Sequence, residues 1–284
     1  MTVARRGGGP ASALRGLASQ VHPVFMLPAV ATSLFGAVLA RHVSLPLAAL
    51  HALAVGFALY TAHVKDGYVD FYARKEDETH PLSPRGCRLA LALATVGFGA
   101  CTLLLGVAVG VGAVALTLPG WVVGYFHAPQ LDTNPLGATL GYPAGVTLAL
   151  LGGFYVQAET LSPQVLALAG VFLVVLAGIK VVDDAQDVAF DAAFGKATPA
   201  VMLGPARARL LAFGLLGLGM AAVPLLAVVL PGMPPSAGFA AVAFGGVAAL
   251  AWRAGPELAT MLLIRGAYLF LAALVAAVWF RPLS

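Results

Sequence analysis

Apolar stretches long enough to cross a bilayer recur from Pro23 to Phe280, with short polar breaks between them. Backbone in lipid must satisfy its own hydrogen bonds, and a helix does so within one segment. Roughly 20 apolar residues make one span. Nine such stretches can be read, at about 23–40, 46–64, 87–108, 110–126, 139–157, 164–182, 207–230, 237–252 and 261–280. The third and fourth are divided only by Gly106, Gly110 and Gly112. The expectation is an all-α, polytopic bundle of about nine transmembrane helices. Composition agrees, because 60% of the 284 residues are hydrophobic and only 10% charged, against about 25% charged in an average soluble domain. So few charges cannot keep a surface wet. This excludes a soluble enzyme, a disordered chain and a nucleic-acid-binding module.

Residues 1–20 form a Gly/Arg-rich tail with Arg5, Arg6 and Arg15, expected to be flexible at first and then interfacial. No cleavable signal peptide is apparent. Residues 21–284 read as one membrane domain. Cys87 and Cys101 lie 14 residues apart, too far for a CxxC site. They read as small packing residues.

The charges test the span count. With the N-terminus in the cytosol and nine alternating spans, fourteen of the 16 Lys and Arg fall on the cytosolic side, all but Arg41 and Arg281. This is the positive-inside pattern, and it places the protein in the cell membrane as a multi-pass protein. Eleven of the 12 acids fall on the same side, all but Glu159. The positive-inside rule does not ask for that. Acids and bases crowding one face point to a polar chamber opening there.

Most acids lie in two segments. The first acidic motif, 63–78, closes the second span and holds His63, Lys65, Asp66, Asp70, Arg74 and Lys75, followed by Glu76, Asp77 and Glu78, which read as solvated loop. The second, 183–198, closes the sixth span just after Lys180 and holds Asp183, Asp184, Asp187, Asp191 and Lys196. Residues i and i+4 share a helix face, so Asp66 is expected beside Asp70, and Asp187 beside Asp191. Like charges at that spacing repel unless a cation sits between them. His63-x-x-Asp66-x-x-x-Asp70 echoes Asp184-x-x-Asp187-x-x-x-Asp191 at an offset of 121 residues. Four spans separate the motifs, so both open on one side. This reads as two parallel four-helix repeats facing one cavity. Hard oxygen ligands suit Mg²⁺, which often binds through carboxylates plus substrate phosphates. Lys65, Arg74, Lys75, Lys180 and Lys196 are placed to meet phosphate oxygens.

At these residues the sequence resembles the UbiA superfamily of intramembrane prenyltransferases. The second motif matches as Asp184-x-x-Asp187-x-x-x-Asp191-x-x-x-Gly195-x-x-Thr198, with Asp183 where the family usually has lysine. The first departs from the family's N-D-x-x-D-x-x-x-D. Either His63 replaces the first acid and Ala62 the Asn, or Asp66 is the first acid and Val69 and Ala73 replace the others. His80-Pro81 stands for the family's R-P, and Gln20-Val21-His22-Pro23 is similar to its opening segment. Tyr125-x-x-x-Pro129-x-Leu131 followed by Leu136-Gly137 resembles its loop after span four, with Ala138 in place of the usual Glu.

The resemblance implies a nine-helix bundle that binds an isoprenyl diphosphate through Mg²⁺. It implies Asp66, Asp70, Asp184, Asp187 and Asp191 as metal ligands, four of them (all but Asp184) catalytic. His63, Lys65, Arg74, Lys75, Tyr125, Lys180 and Lys196 would bind substrate. Departure of diphosphate would leave an allylic cation, which a lipophilic acceptor attacks. The implied acceptors are a quinone ring, a carotenoid, a glycerol-phosphate lipid or a tetrapyrrole; prenyl chain length and oligomeric state stay open. A cyclase or hydratase, which quenches the cation without a separate acceptor, is the alternative. An ion-coupled transporter fits less well, because transport sites lie near the bilayer midplane and these acids sit at helix ends. His22, His51, Tyr68, Tyr72 and His127 are further candidates, each with a plain packing role as its rival.

Overall fold

The computed structural model describes residues 2–282. Met1, Leu283 and Ser284, which belong to the expected 1–20 and 21–284 regions, lie outside the described residues. Proline sets most helix starts: α1 (Pro10–Ala18), α2 (Pro23–Leu39), α4 (Pro84–Ala108), α6 (Pro135–Ala158), α7 (Pro163–Asp184), α9 (Pro199–Leu203), α10 (Pro205–Val229) and α12 (Pro256–Phe280). A first-turn proline gives up an N–H that has no partner there anyway. The other helices are α3 (Leu45–Tyr68), α5 (Val111–Phe126), α8 (Val188–Ala193) and α11 (Gly238–Arg253). Side chains of Ser83, Asn134, Ser162 and Thr198 cap α4, α6, α7 and α9 by accepting from backbone N–H groups three residues on.

Each expected span has its helix. Among the described residues eight helices are long and apolar enough to cross a membrane, and a ninth span counts if α1 and α2, bent by 66°, form one broken span. The protein is a multi-pass helical membrane bundle.

Small residues let the helices meet. A Cβ on Gly36 of α2 would lie 2.3 Å from the Leu150 carbonyl oxygen of α6, and one on Gly153 would lie 2.0 Å from that of Ser33. The two backbones touch, as crossings of small residues in lipid allow. The main apolar core joins α2, α6 and α7 to α10, α11 and α12. Among α3, α4 and α5 the buried clusters are small and scattered. The looser packing on that side leaves room for a cavity.

The chain start is tied to the bundle. Arg5 donates its backbone N–H to the Pro81 carbonyl (2.8 Å), and Ser83 donates to that of Val3 (2.9 Å). Residues 3–5 therefore lie against the loop that follows the first acidic motif. Arg5 also sits over the Phe71 ring, 4.4 Å from its centre.

Candidate active site

Three loops at one end of the bundle carry the charges: α3 to α4, α5 to α6, and the stretch after α7. Beyond Tyr68 the span does not stop. It winds into a π turn over Val69–Arg74, and Lys75 ends it in a left-handed conformation (φ 59°). A π turn is wider than an α turn and re-aims the side chains it carries. Arg74 here donates to both oxygens of Asp132 from its two terminal guanidinium nitrogens, at 2.6 and 2.9 Å. It also lies 3.4 Å from Asp70 and 3.8 Å from Glu76.

The stretch after α7 behaves otherwise. α7 ends at Asp184, Asp187 takes the N-cap position of α8 with non-helical backbone angles, and Asp191 lies inside α8. The expected continuous helix through Asp184, Asp187 and Asp191 is therefore broken between Asp184 and Asp187, while Asp187 and Asp191 stay one turn apart, the Asp191 N–H donating to the Asp187 carbonyl at 2.7 Å. Asp187 is exposed, whereas Asp191 is buried. Gln186 anchors the break by donating to the Thr260 hydroxyl at the start of α12 (2.6 Å).

Lys196 joins the two motifs. Its ammonium bonds to Glu76 at 2.6 Å and lies 3.8 Å from Asp191. Lys180 pairs with Asp184 one turn on, and lies 3.9 Å from Asp183. Asp66 lies within electrostatic reach of His127, Asp132, Lys196 and Arg74. The structure thus gathers Asp66, Asp70, Asp184, Asp191, Arg74, Lys180 and Lys196 into one alternating network. Burial pushes the Asp191 carboxyl above the ordinary carboxylate range, and the nearby charges of Asp187 and Glu76 add to the effect against Lys196 and Lys180. Burial pulls the Lys196 ammonium down, but Glu76 outweighs it through hydrogen bond and charge, so its pKa is raised.

Other expected residues fall outside the network. Lys75 is exposed, because its left-handed backbone turns it away from the turn before it. The Lys65 ammonium sits 5.2 Å from the centre of the Tyr125 ring, and Tyr125 stacks on Trp121 at 5.1 Å. Neither Lys65 nor Tyr125 lines the cavity described below. Two contributors were missed in the sequence. Glu76, read as solvated loop, has a side chain only 5% exposed, while Asp77 and Glu78 beside it are exposed. Asp132 was not singled out, although its place in the loop after span four was the available signal.

Among the described residues no three acids, histidines or cysteines stand together as a ready metal cluster. Lysine and arginine are interleaved with the carboxylates instead. Even so, Asp184 Oδ2 is buried without a hydrogen-bond partner, and Glu76 Oε2, also buried, meets only the Arg74 guanidinium at 3.8 Å. Buried carboxylate oxygens without hydrogen bonds are costly unless a cation completes them. They are hard donors of the kind a divalent cation takes, so the residues present fit Mg²⁺.

The network sits at the mouth of a cavity of about 390 Å³. Asp66, Asp183 and Lys180 line its polar edge, and α2, α3, α5, α6, α7 and α12 supply most of its wall. His22, His63 and His127 come next. The His22 and His63 rings stack with centres 4.7 Å apart. Farther in, the lining is mainly aliphatic, with His51 held by Ser33 at 2.7 Å.

No protein-family model matches the sequence, and no curated protein matches it. Solved structures do match in three dimensions. A UbiA homolog from Aeropyrum pernix K1 superposes with a TM-score of 0.73 at 18% identity, over 90% of this chain and 98% of that one. A digeranylgeranylglyceryl phosphate synthase gives 0.72 at 14% identity, over 95% and 98%. A UbiA homolog from Archaeoglobus fulgidus bound to GPP and Mg²⁺ gives 0.66 at 18% identity, over 94% and 99%. Identities this low bear on architecture alone, and the architecture is clear: the chain has the UbiA fold.

Proposed function

We propose that the protein is an integral membrane prenyltransferase of the UbiA superfamily, moving an isoprenyl group from an isoprenyl diphosphate to a lipophilic acceptor. The observation that carries this reading is the position of the charge network at the mouth of an apolar cavity, with Asp66, Asp183 and Lys180 on the boundary. A diphosphate needs the first and a hydrocarbon tail needs the second. The GPP and DMAPP bound with Mg²⁺ in the Archaeoglobus fulgidus homologs support the same donor class.

Asp66, Asp70, Glu76, Asp184 and Asp191 would hold Mg²⁺, with Asp187 at the open edge. When bound, the metal neutralises charge that develops on the leaving diphosphate. Lys180, Lys196 and Arg74 are held by carboxylates at the same mouth, so their N–H groups are positioned before substrate arrives and need little reorganisation. The apolar wall keeps water from an allylic cation. On the charge asymmetry of the sequence, the mouth and the N-terminus face the cytosol, and the membrane is the cell membrane.

The test is to incubate purified protein with radiolabelled isoprenyl diphosphates of several lengths and a native lipid extract, with Mg²⁺ or with EDTA. Diphosphate release that needs Mg²⁺, with label moved into a lipid, is the expected result. No release at any chain length, together with no donor binding, would overturn the reading. Label in a cyclised or hydroxylated product would move it to the cyclase or hydratase alternative.

A further inference from the structure

The cavity has a charged mouth, an imidazole neck and an apolar interior. The cations around the mouth are already committed to carboxylates. Lys180 faces Asp183 and Asp184, Lys196 faces Glu76 and Asp191, and Arg74 faces Asp70, Glu76 and Asp132. Lys180 is the one lysine or arginine among the described residues that line the cavity. The donor's diphosphate has first claim on it. An acceptor bearing a phosphate or carboxylate would enter the same space without an uncommitted cation to meet it, and a desolvated charge left unpaired is expensive. An uncharged acceptor escapes that cost.

The neck supplies what such an acceptor needs. His63 lies one helical turn before Asp66 on the same face of α3. Its ring stacks on His22, with planes 20° apart, and Phe25 lies beside it at 6.2 Å. It therefore stands between the site of diphosphate departure and the hydrocarbon wall. Its imidazole offers a nitrogen lone pair at the boundary between the charged end of the cavity and its apolar wall.

Building on the prenyl-transfer reading, we propose that the second substrate is an uncharged lipid presenting a carbon–carbon double bond or an electron-rich ring, and that His63 takes the proton it gives up. The C1–O bond of the donor breaks, and its electron pair leaves on the diphosphate. The π pair of the acceptor forms the new carbon–carbon bond to C1, which leaves a cation on the acceptor. A neighbouring C–H of the acceptor then loses its proton to an imidazole nitrogen of His63, and its electron pair restores the double bond or the ring. The products are prenylated lipid, diphosphate and a proton, so no oxidant or reductant is required.

The test supplies full-length protein and Mg²⁺ with a labelled isoprenyl diphosphate and four separate acceptors. Two are neutral, an acyclic C40 polyene and a long-chain hydroquinone. Two are anionic, an isoprenoid glycerol phosphate and 4-hydroxybenzoate. Transfer to a neutral acceptor at least tenfold faster than to either anionic one is the expected result. Equal or faster transfer to an anionic acceptor would overturn the acceptor class and leave prenyl transfer standing. Release that no acceptor stimulates would also overturn it. Failure of donor binding and release alike would instead defeat the prenyl-transfer reading on which it rests. In parallel, His63→Gln should lower kcat with the neutral acceptor about 10²-fold and leave donor binding unchanged. Weakened donor binding with kcat preserved would make His63 a diphosphate ligand and sink its role as base.

Discussion

At the end of α3 the chain winds on through a π turn, so Asp66, Asp70 and Arg74 stay on one continuous span. At the end of α7 it stops at Asp184, and Asp191 returns on a separate short helix. The acids have the same spacing in both motifs. Their neighbours differ. Tyr68, Phe71 and Tyr72 punctuate the first, and they bury against each other, His80 and Arg5, with the Tyr72 hydroxyl donating to the Leu82 carbonyl at 2.7 Å. That packing holds the extra turn in place. At the offset of 121 the second motif has Ala189, Ala192 and Ala193 in those places; its aromatics, Phe190 and Phe194, meet each other at 4.7 Å with Phe190 exposed, and Asp187 takes an N-cap position. Equal spacing of charges therefore does not impose equal backbone. One motif continues its span, the other returns on a separate short helix, and Lys196 ties them together.

The sharpest way to test that difference is by acid-to-amide exchange. Asp66→Asn and Asp191→Asn should each lower Mg²⁺-dependent diphosphate release by about 10³-fold. Asp187→Asn, exposed at the start of α8, should cost closer to tenfold. Release assays that found all three equally impaired would erase the distinction between buried and exposed members of the second motif.

Cutting the tie comes next. Lys196→Met leaves Glu76 and Asp191 without their shared cation, and breaking a buried pair of this kind costs about 3 kcal/mol. Thermal unfolding in detergent should show the loss, and millimolar Mg²⁺ should restore part of it by binding the folded state. An unchanged melting temperature would mean that the two motifs are not coupled through Lys196.

Arg74→Lys keeps the charge but loses the two-pronged grip on Asp132. A fall in activity of about tenfold is expected, with Mg²⁺ affinity less affected. Smallest of all should be Lys75→Ala, within about twofold of the parent in the same assay, because surface substitutions away from such features change little. A large loss there would bring Lys75 back into the site.

The span count and the grouping of acids at one end were legible because each depends on local information, although α4, α6 and α12 start at Pro84, Pro135 and Pro256, ahead of the apolar runs read from 87, 139 and 261. Hydrophobic runs, first-turn prolines and Ser, Thr or Asn caps act over a few residues. Asp66, Asp70, Asp184 and Asp191 were legible for the same reason. Glu76 was not, since it sits in a run of three acids after the turn, where no periodicity marks which one points inward. Asp132 is 58 residues from its partner Arg74, and a loop acid gives no sign of a distant guanidinium. Lys65, Lys75 and Tyr125 stand apart from the network that the acids form. Nearness in sequence to the acids suggested a shared site, but side chains on a helix or turn point all around it.

By itself the sequence determined that this chain must be a bundle of helices in a membrane, because its apolar runs leave no other way to satisfy the backbone. It also determined that the charges gather at one end. Tertiary structure alone decided which of those charges meet. Only packing could form the π turn after Tyr68, the break after Asp184 and the ring of helices around a 390 Å³ cavity. Each depends on contacts between segments far apart in the chain, and such contacts leave no local pattern.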